Sequence, residues 1–266
     1  MPFPLARLGS VTHVYLDVFS KHIAKSGFRL EFEHHPQLFM RHQLSQLRRL
    51  DAIPDTAGWL LIYTTEPLQR WFAASGRPCL VVGRKYPNVE LSSIYPDTEA
   101  AARHAAGLFR AHGHRELVYL IAKFTSLGDQ LSATAFADEA HRLGAHAHIV
   151  TLAPEQSMVR SAIADALAAH PKPTGFFISN PGHCLTALCH ILGTRMRVPD
   201  DVALIAGWHD ASLECTIPAI AHYRMDATQL GRKIAAMFLD MFQHGVGKIR
   251  SVGILPEFVK GGTLDE

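Results

Sequence analysis

Apolar positions along the chain follow two periods in turn. Over residues 11–26, Val14, Phe19, Ile23 and Ala24 recur on one side of a helical turn and Gly27 stops the pattern, which predicts a helix. Phe28–Phe32 alternates apolar and polar residues as a strand does. Gln37–Leu50 reads as an amphipathic helix through Leu38, Leu44, Leu47 and Leu50, and Trp59–Tyr63 as a short strand. A helix over Pro67–Ala74 starts on proline, which suits a first turn, and Pro78–Val82 follows as a strand. Asp97 caps a helix over 98–112 whose alanines at 100, 101, 102, 105 and 106 permit close packing, and Gly113 ends it.

The alternation then restarts. Strands are expected at Leu117–Ile121, His146–Thr151, Gly175–Ser179 and Val202–Ala206, with helices at Ser132–Leu143, Val159–Ala169 and 182–193 between them. A last helix over Ala227–Gln243 precedes a strand near Val252–Val259. Repeated strand–helix–strand units imply an α/β fold of parallel sheets flanked by helices and joined by right-handed crossovers. The break near residue 115 implies two Rossmann-like lobes, with a ligand site outside the carboxyl ends of the strands, in the cleft between the lobes.

Composition narrows the class. The chain has 266 residues, 48% hydrophobic and 19% charged, with a net charge of +2, which excludes wholesale disorder and a surface built to grip a phosphate backbone. Residues 1–115 carry 14 basic and 9 acidic side chains and residues 116–266 carry 12 and 15, a weak asymmetry. The longest apolar runs are strand-sized, and no basic region followed by an apolar stretch opens the chain. A cytoplasmic protein without membrane contact is therefore expected. Cys79, Cys184, Cys189 and Cys215 lack metal-type spacing and read as buried reduced thiols.

Catalytic and cofactor motifs are missing. There is no nucleophile elbow, phosphate-binding P-loop or dinucleotide fingerprint, and Gly245-Val246-Gly247-Lys248 follows a helix instead of opening one. No cofactor is expected. Seventeen histidines are an unusual count. The close sets His34-His35, His112 with His114, and His146 with His148 have no further ligand at fixed spacing, so no metal is expected. The basic stretch Arg41–Arg49 reads as the solvated face of a helix, and no helix-turn-helix pattern is visible.

Several segments resemble the regulatory portion of the lactose-repressor (LacI) family. Gly76–Arg84 resembles its "G-x-P-x-V-x-x-x-R" segment, and Asp97 with the alanine-rich helix and Gly113-His114-Arg115 resembles its "D-n … A … G-H-R" stretch. Pro173–Asn180, Val198–Ile205, Gly207–Asp210 and Leu230–Ala235 resemble later family segments, in the right order over about residues 25–260. The resemblance implies the type I periplasmic-binding-protein-like fold, two lobes joined by three crossover strands. The first lobe would be 1–115 with 222–248, and the second 116–221 with 249–266.

The resemblance also implies a function: the effector-sensing domain of a bacterial transcriptional regulator, not an enzyme. A sugar or related metabolite would be bound in the interlobe cleft. Operator DNA would be held only through a headpiece absent from this chain, and the protein would be a homodimer. The alternative is a solute-binding protein of a sugar-type transport system. Candidate ligand-binding residues are Tyr63, Thr64, Asp129, Ser132, Phe136, Asn180, His183, Trp208, His209 and Asp210. Phe136 reads equally as core, and Asp129 equally as a helix cap. Ser132 stands where the family has a sugar-gripping arginine, Pro181 where it has the aspartate of "N-D", and His209 where it has the first aspartate of "G-f-D-D". Met1-Pro2-Phe3-Pro4 shows no counterpart of the family's opening strand.

Overall fold

The computed structural model describes residues 8–34, 47–122, 126–152, 156–245 and 249–264. It divides into two compact units, Met1–Pro96 with Asp226–Ile254, and Asp97–Met225 with Leu255–Glu266.

The first unit holds a four-stranded parallel sheet. Its strands are β1 (Trp59–Ile62), β2 (Cys79–Val82), β3 (Ser92–Pro96) and β9 (Ser251–Ile254), in the spatial order β1-β2-β3-β9. The helices are α1 (Ser10–Ala24), the short α2 (Arg48–Asp51), α3 (Glu66–Ala74) and α9 (Ala227–His244). Leu61, Cys79 and Val81 pack on Leu68 and Phe72 of α3. Helices α1 and α9 pair through Phe19 and Phe238, whose rings meet edge-on at 5.6 Å. Gly231 lets these helices approach, since a Cβ there would lie 2.7 Å from the Tyr15 carbonyl and 2.8 Å from Val18 Cβ.

The second unit holds a six-stranded sheet in the order β10-β8-β7-β6-β4-β5. The strands are β4 (Glu116–Ala122), β5 (His146–Leu152), β6 (Gly175–Ile178), β7 (Ala203–Ala206), β8 (Ala221–Arg224) and β10 (Glu257–Val259). All neighbours are parallel except β10, which runs antiparallel to β8. The helices are α4 (Thr98–Ala111), α5 (Leu127–Arg142), α6 (Gln156–Ala168), α7 (Pro181–Gly193) and α8 (Ala211–Glu214). Strand residues alternate between two cores. Leu117, Tyr119, Phe177 and Ile205 pack with Phe109 of α4 and Phe136 of α5. Val118, Leu120, Phe176 and Leu204 pack with Val159 of α6 and Leu188 of α7. Burial on both faces is why these strands read as nearly continuous apolar runs.

The structure differs from the periodicity reading at several points. Helix α4 groups with the second unit, because Ala101, Ala102, Ala105, Ala106 and Phe109 are buried in the core built around Tyr119 and Phe136. The expected last strand splits in two at Leu255-Pro256. β9 pairs with β3 in the first unit and β10 with β8 in the second. Helix α5 starts at Leu127, earlier than expected, because Ser126 and Asp129 form a capping box at its start. Phe28–Phe32 is not a strand. Among the described residues β1 pairs only with β2, and Phe28–Glu33 instead lines an apolar cavity of about 690 Å³ that is also lined by Trp59–Ile62 and by Leu16, Phe19, Leu68 and Phe72. Alternation marks one apolar side of an extended segment, but a strand also requires a ladder partner.

β3 and β8 were not foreseen. β3 is hidden by its serines, of which Ser93 is buried and 3.2 Å from Ser251 through the two hydroxyls. Cys79 and Cys184 are buried thiols outside any disulfide, and burial pushes the Cys184 thiol up to about 12, whereas Cys189 and Cys215 are exposed. The expected helix Gln37–Leu50 lies largely outside the described residues, as do most of Arg41–Arg49 and residues 246–248. No helix among the described residues is long and apolar enough to cross a membrane.

Candidate functional site

In the second unit, the loops after β6 and β7 leave the carboxyl ends of adjacent parallel strands. They run close together. The Gly207 amide donates to the Ile178 carbonyl at 2.8 Å, and a Cβ on Gly207 would lie 3.1 Å from Ser179 Cα, a tight contact that glycine avoids. This approach sets Asn180 and His183 on one loop and helix start, and Trp208, His209 and Asp210 on the other.

Two of these polar residues are committed to local structure. Asn180 caps α7 by accepting from the His183 amide at 3.2 Å. Asp210 caps α8, accepting from the Ser212 hydroxyl at 2.6 Å and its amide at 3.0 Å, and these bonds hold its carboxyl below the usual carboxylate range. His183 is different. Its Nδ1 is buried with no hydrogen-bond partner among the described residues, and burial lowers its basicity, favouring a neutral imidazole at the helix start. Trp208 is half-buried.

His209 takes part in a further cluster. Its Nδ1 lies 3.0 Å from His222 Nε2, and the two rings are tilted by 36°. Glu214 Oε1 stands 3.7 Å from both nitrogens. His209 and Asp210 both lie beyond the end of β7, outside the strand.

The remaining second-unit candidates sit on α5, where Ser132 and Phe136 are buried and Asp129 is half-buried. Asp129 belongs to the capping box, and burial raises its carboxyl above its ordinary value. Ser132 is 1% exposed, bonded to Tyr119 and to the Asp129 carbonyl. Phe136 is fully buried and stacks on Phe177 with centroids 5.5 Å apart. In the first unit, Tyr63 follows β1 with φ of +54° and is exposed. Thr64 Oγ1 accepts from Gln69 Nε2 at 3.2 Å. The buried Gln69 also donates to the Arg84 carbonyl and accepts from the Tyr86 amide, tying the loops after β1 and β2 together. Sequence reasoning missed Gln69, His222 and Glu214. Nothing in local spacing marks them, since their partners come from other loops and strands.

A chain built from two α/β units of mainly parallel strands, with polar loops at the strands' carboxyl ends, has the architecture of a small-molecule-binding domain. Residues 106–264 match the family model of the periplasmic binding protein-like domain, and the chain belongs to that family. It is 27% identical over 183 residues to the HTH-type transcriptional regulator GntR of Pseudomonas aeruginosa, covering 66% of this chain and 52% of that protein. The chain thus spans about half the length of the curated relative it matches.

Solved structures carry the same fold. A PurR family transcriptional regulator from Vibrio parahaemolyticus superposes with a TM-score of 0.86 at 15% identity, covering 100% of this chain and 97% of that one. A LacI family transcriptional regulator from Arthrobacter sp. in complex with lactose gives 0.77 at 17% identity, covering 97% and 95%.

Proposed function

We propose that this chain is the effector-sensing part of a transcriptional regulator, with the effector a sugar or related polyol and DNA held by a module outside this chain. The observation that carries the reading is the polar loop pair after β6 and β7, with Asn180, His183, Trp208 and His209, in a chain of the periplasmic-binding-protein-like family. The similar proteins named as regulators, one of them in complex with lactose, support a sensor over a transport protein.

Ser132 cannot replace an arginine fork, because its hydroxyl is spent inside the unit. Recognition therefore falls to the His183 and His209 imidazoles, with Trp208 offering an apolar face to a pyranose ring. Effector binding biases one of two arrangements of the protein, by no more than its difference in affinity for them. The sensor works as an isologous dimer.

A thermal-shift panel of sugars, sugar acids and polyols, followed by calorimetry on hits, tests this. A true effector at 100 times its Kd adds about 2.7 kcal/mol of stability. Stabilisation that persists in a Trp208→Ala, His183→Ala double variant would place the ligand elsewhere and sink the assignment.

A further inference from the structure

We propose that His209, Glu214 and His222 form a binding site for a divalent transition-metal ion, with zinc the ion their chemistry suits best. The three donors come from three segments: the loop after β7, the end of α8, and β8. Their ligand atoms, His209 Nδ1, His222 Nε2 and Glu214 Oε1, form a triangle with edges of 3.0, 3.7 and 3.7 Å. Three corners of a tetrahedral zinc site with bonds of about 2.0–2.2 Å are separated by about 3.3–3.5 Å, so shifts of a few tenths of an ångström complete the geometry.

The orientation of His222 is the strongest sign. Its side chain is 1% exposed, and its Nδ1 lies 2.9 Å from the Ile220 carbonyl. A carbonyl only accepts, so Nδ1 carries the proton and Nε2 turns its lone pair toward the other two donors. A carbonyl holding the far nitrogen of an imidazole is the usual support for a metal-binding histidine, because it sets both tautomer and ring plane.

The backbone around the donors is held in place. His222 pairs in register with Ala206. Leu213 is fully buried and Asp210 caps α8, which fixes Glu214 at the end of that helix. Without a cation, His209 Nδ1–H donates to His222 Nε2. With one, Nδ1 gives up that proton and the ring takes up a proton at Nε2 from solvent, so it coordinates as a neutral imidazole. Glu214 is 51% exposed, so its carboxylate approaches the two imidazoles from the solvent side.

The site shares His209 with the proposed effector loops, but it does not rest on that reading and can be tested with no effector present. Untagged, chelator-stripped protein is titrated with Zn²⁺ by calorimetry and with Co²⁺ by visible spectroscopy. One equivalent of Zn²⁺ and the intense visible bands of tetrahedral cobalt are expected. Removing a ligand in His209→Ala or Glu214→Gln is expected to weaken zinc by more than about 10-fold, the smallest effect usual even for a supporting residue. Both substitutions are at partly exposed positions, and circular dichroism confirms that the variants fold. Absence of stoichiometric binding, or equal affinity in both folded variants, overturns the proposal, the latter by assigning the metal to other histidines.

Discussion

The hydroxyls of Tyr119 and Ser132 lie 2.9 Å apart inside the second unit, and Ser132 Oγ is also 2.8 Å from the Asp129 carbonyl. A carbonyl accepts only, so the serine proton goes there and the tyrosine donates to Ser132 Oγ. Burial pushes the Tyr119 phenol well above its ordinary value, so this donor is never lost at working pH. Ser132→Ala and Tyr119→Phe should each cost about 1 kcal/mol in urea denaturation. The double variant should cost less than the two added together, because the residues share one bond.

Two glycines in helices should respond oppositely to alanine. Gly231→Ala drives a Cβ into the Tyr15 carbonyl and Val18, and should destabilise by about 1–3 kcal/mol. Gly107 lies in α4, and a Cβ added there would meet nothing within 4 Å. Gly107→Ala should stabilise by about 0.5–1 kcal/mol through helix propensity. Denaturant midpoints of the two variants on either side of the parent would confirm the packing of α1 against α9.

Asp129 and Asp210 are both caps with opposite electrostatics. Asp129 is raised by burial, so its ionised form costs the folded state stability above the ordinary carboxylate range, a cost relieved as pH falls. Asn keeps an acceptor without the charge, so Asp129→Asn should be neutral or stabilising at pH 7. Asp210 is lowered, chiefly by the Ser212 hydroxyl. Its contribution is present above the ordinary range and is lost as pH falls through the lowered value. Asp210→Ala should cost about 0.5–2 kcal/mol at pH 7 and progressively less in acid. Melting temperatures across pH 3–8, a range of about five units around the carboxylate values, read both effects.

Acid should also act through histidines. His104, His183 and His222 are all lowered, in each case first by burial. A histidine with a lowered folded value contributes stability above the ordinary value of about 6.5, and that contribution is lost as pH falls below it, because the unfolded chain takes up the proton first. Stability should therefore fall from pH 7 toward pH 5. His183→Gln should flatten the slope. A slope unchanged in that variant would show that His183 titrates as it does in the unfolded chain.

The first unit offers a check on strand order. Among the described residues β1 ends the order β1-β2-β3-β9, and it lies against the apolar cavity. Its amides should exchange with solvent faster than those of β2, which is paired on both sides. Equal protection of β1 and β2 in hydrogen exchange would mean that a further segment covers that edge.

The sequence by itself determined the class of fold and much of its punctuation. Strand and helix periods alternate from Trp59 to His244, which leaves a parallel α/β architecture as the natural packing, and Asp97 caps its helix as expected, accepting from the Ala100 amide at 3.1 Å. The family segments were legible because they follow one another in order along the chain.

Only the tertiary structure decided which elements share a core. The alanine face of α4 could have packed on either sheet, and it is buried with Phe136 and Tyr223 of the second unit. The split of the last strand between β3 and β8, the absence of a strand at Phe28–Phe32 and the meeting of His209 with Glu214 and His222 share one physical origin. Periodicity reports which side of an element is apolar. The partner it meets, and the polar groups brought together as a result, depend on contacts between segments far apart in the chain.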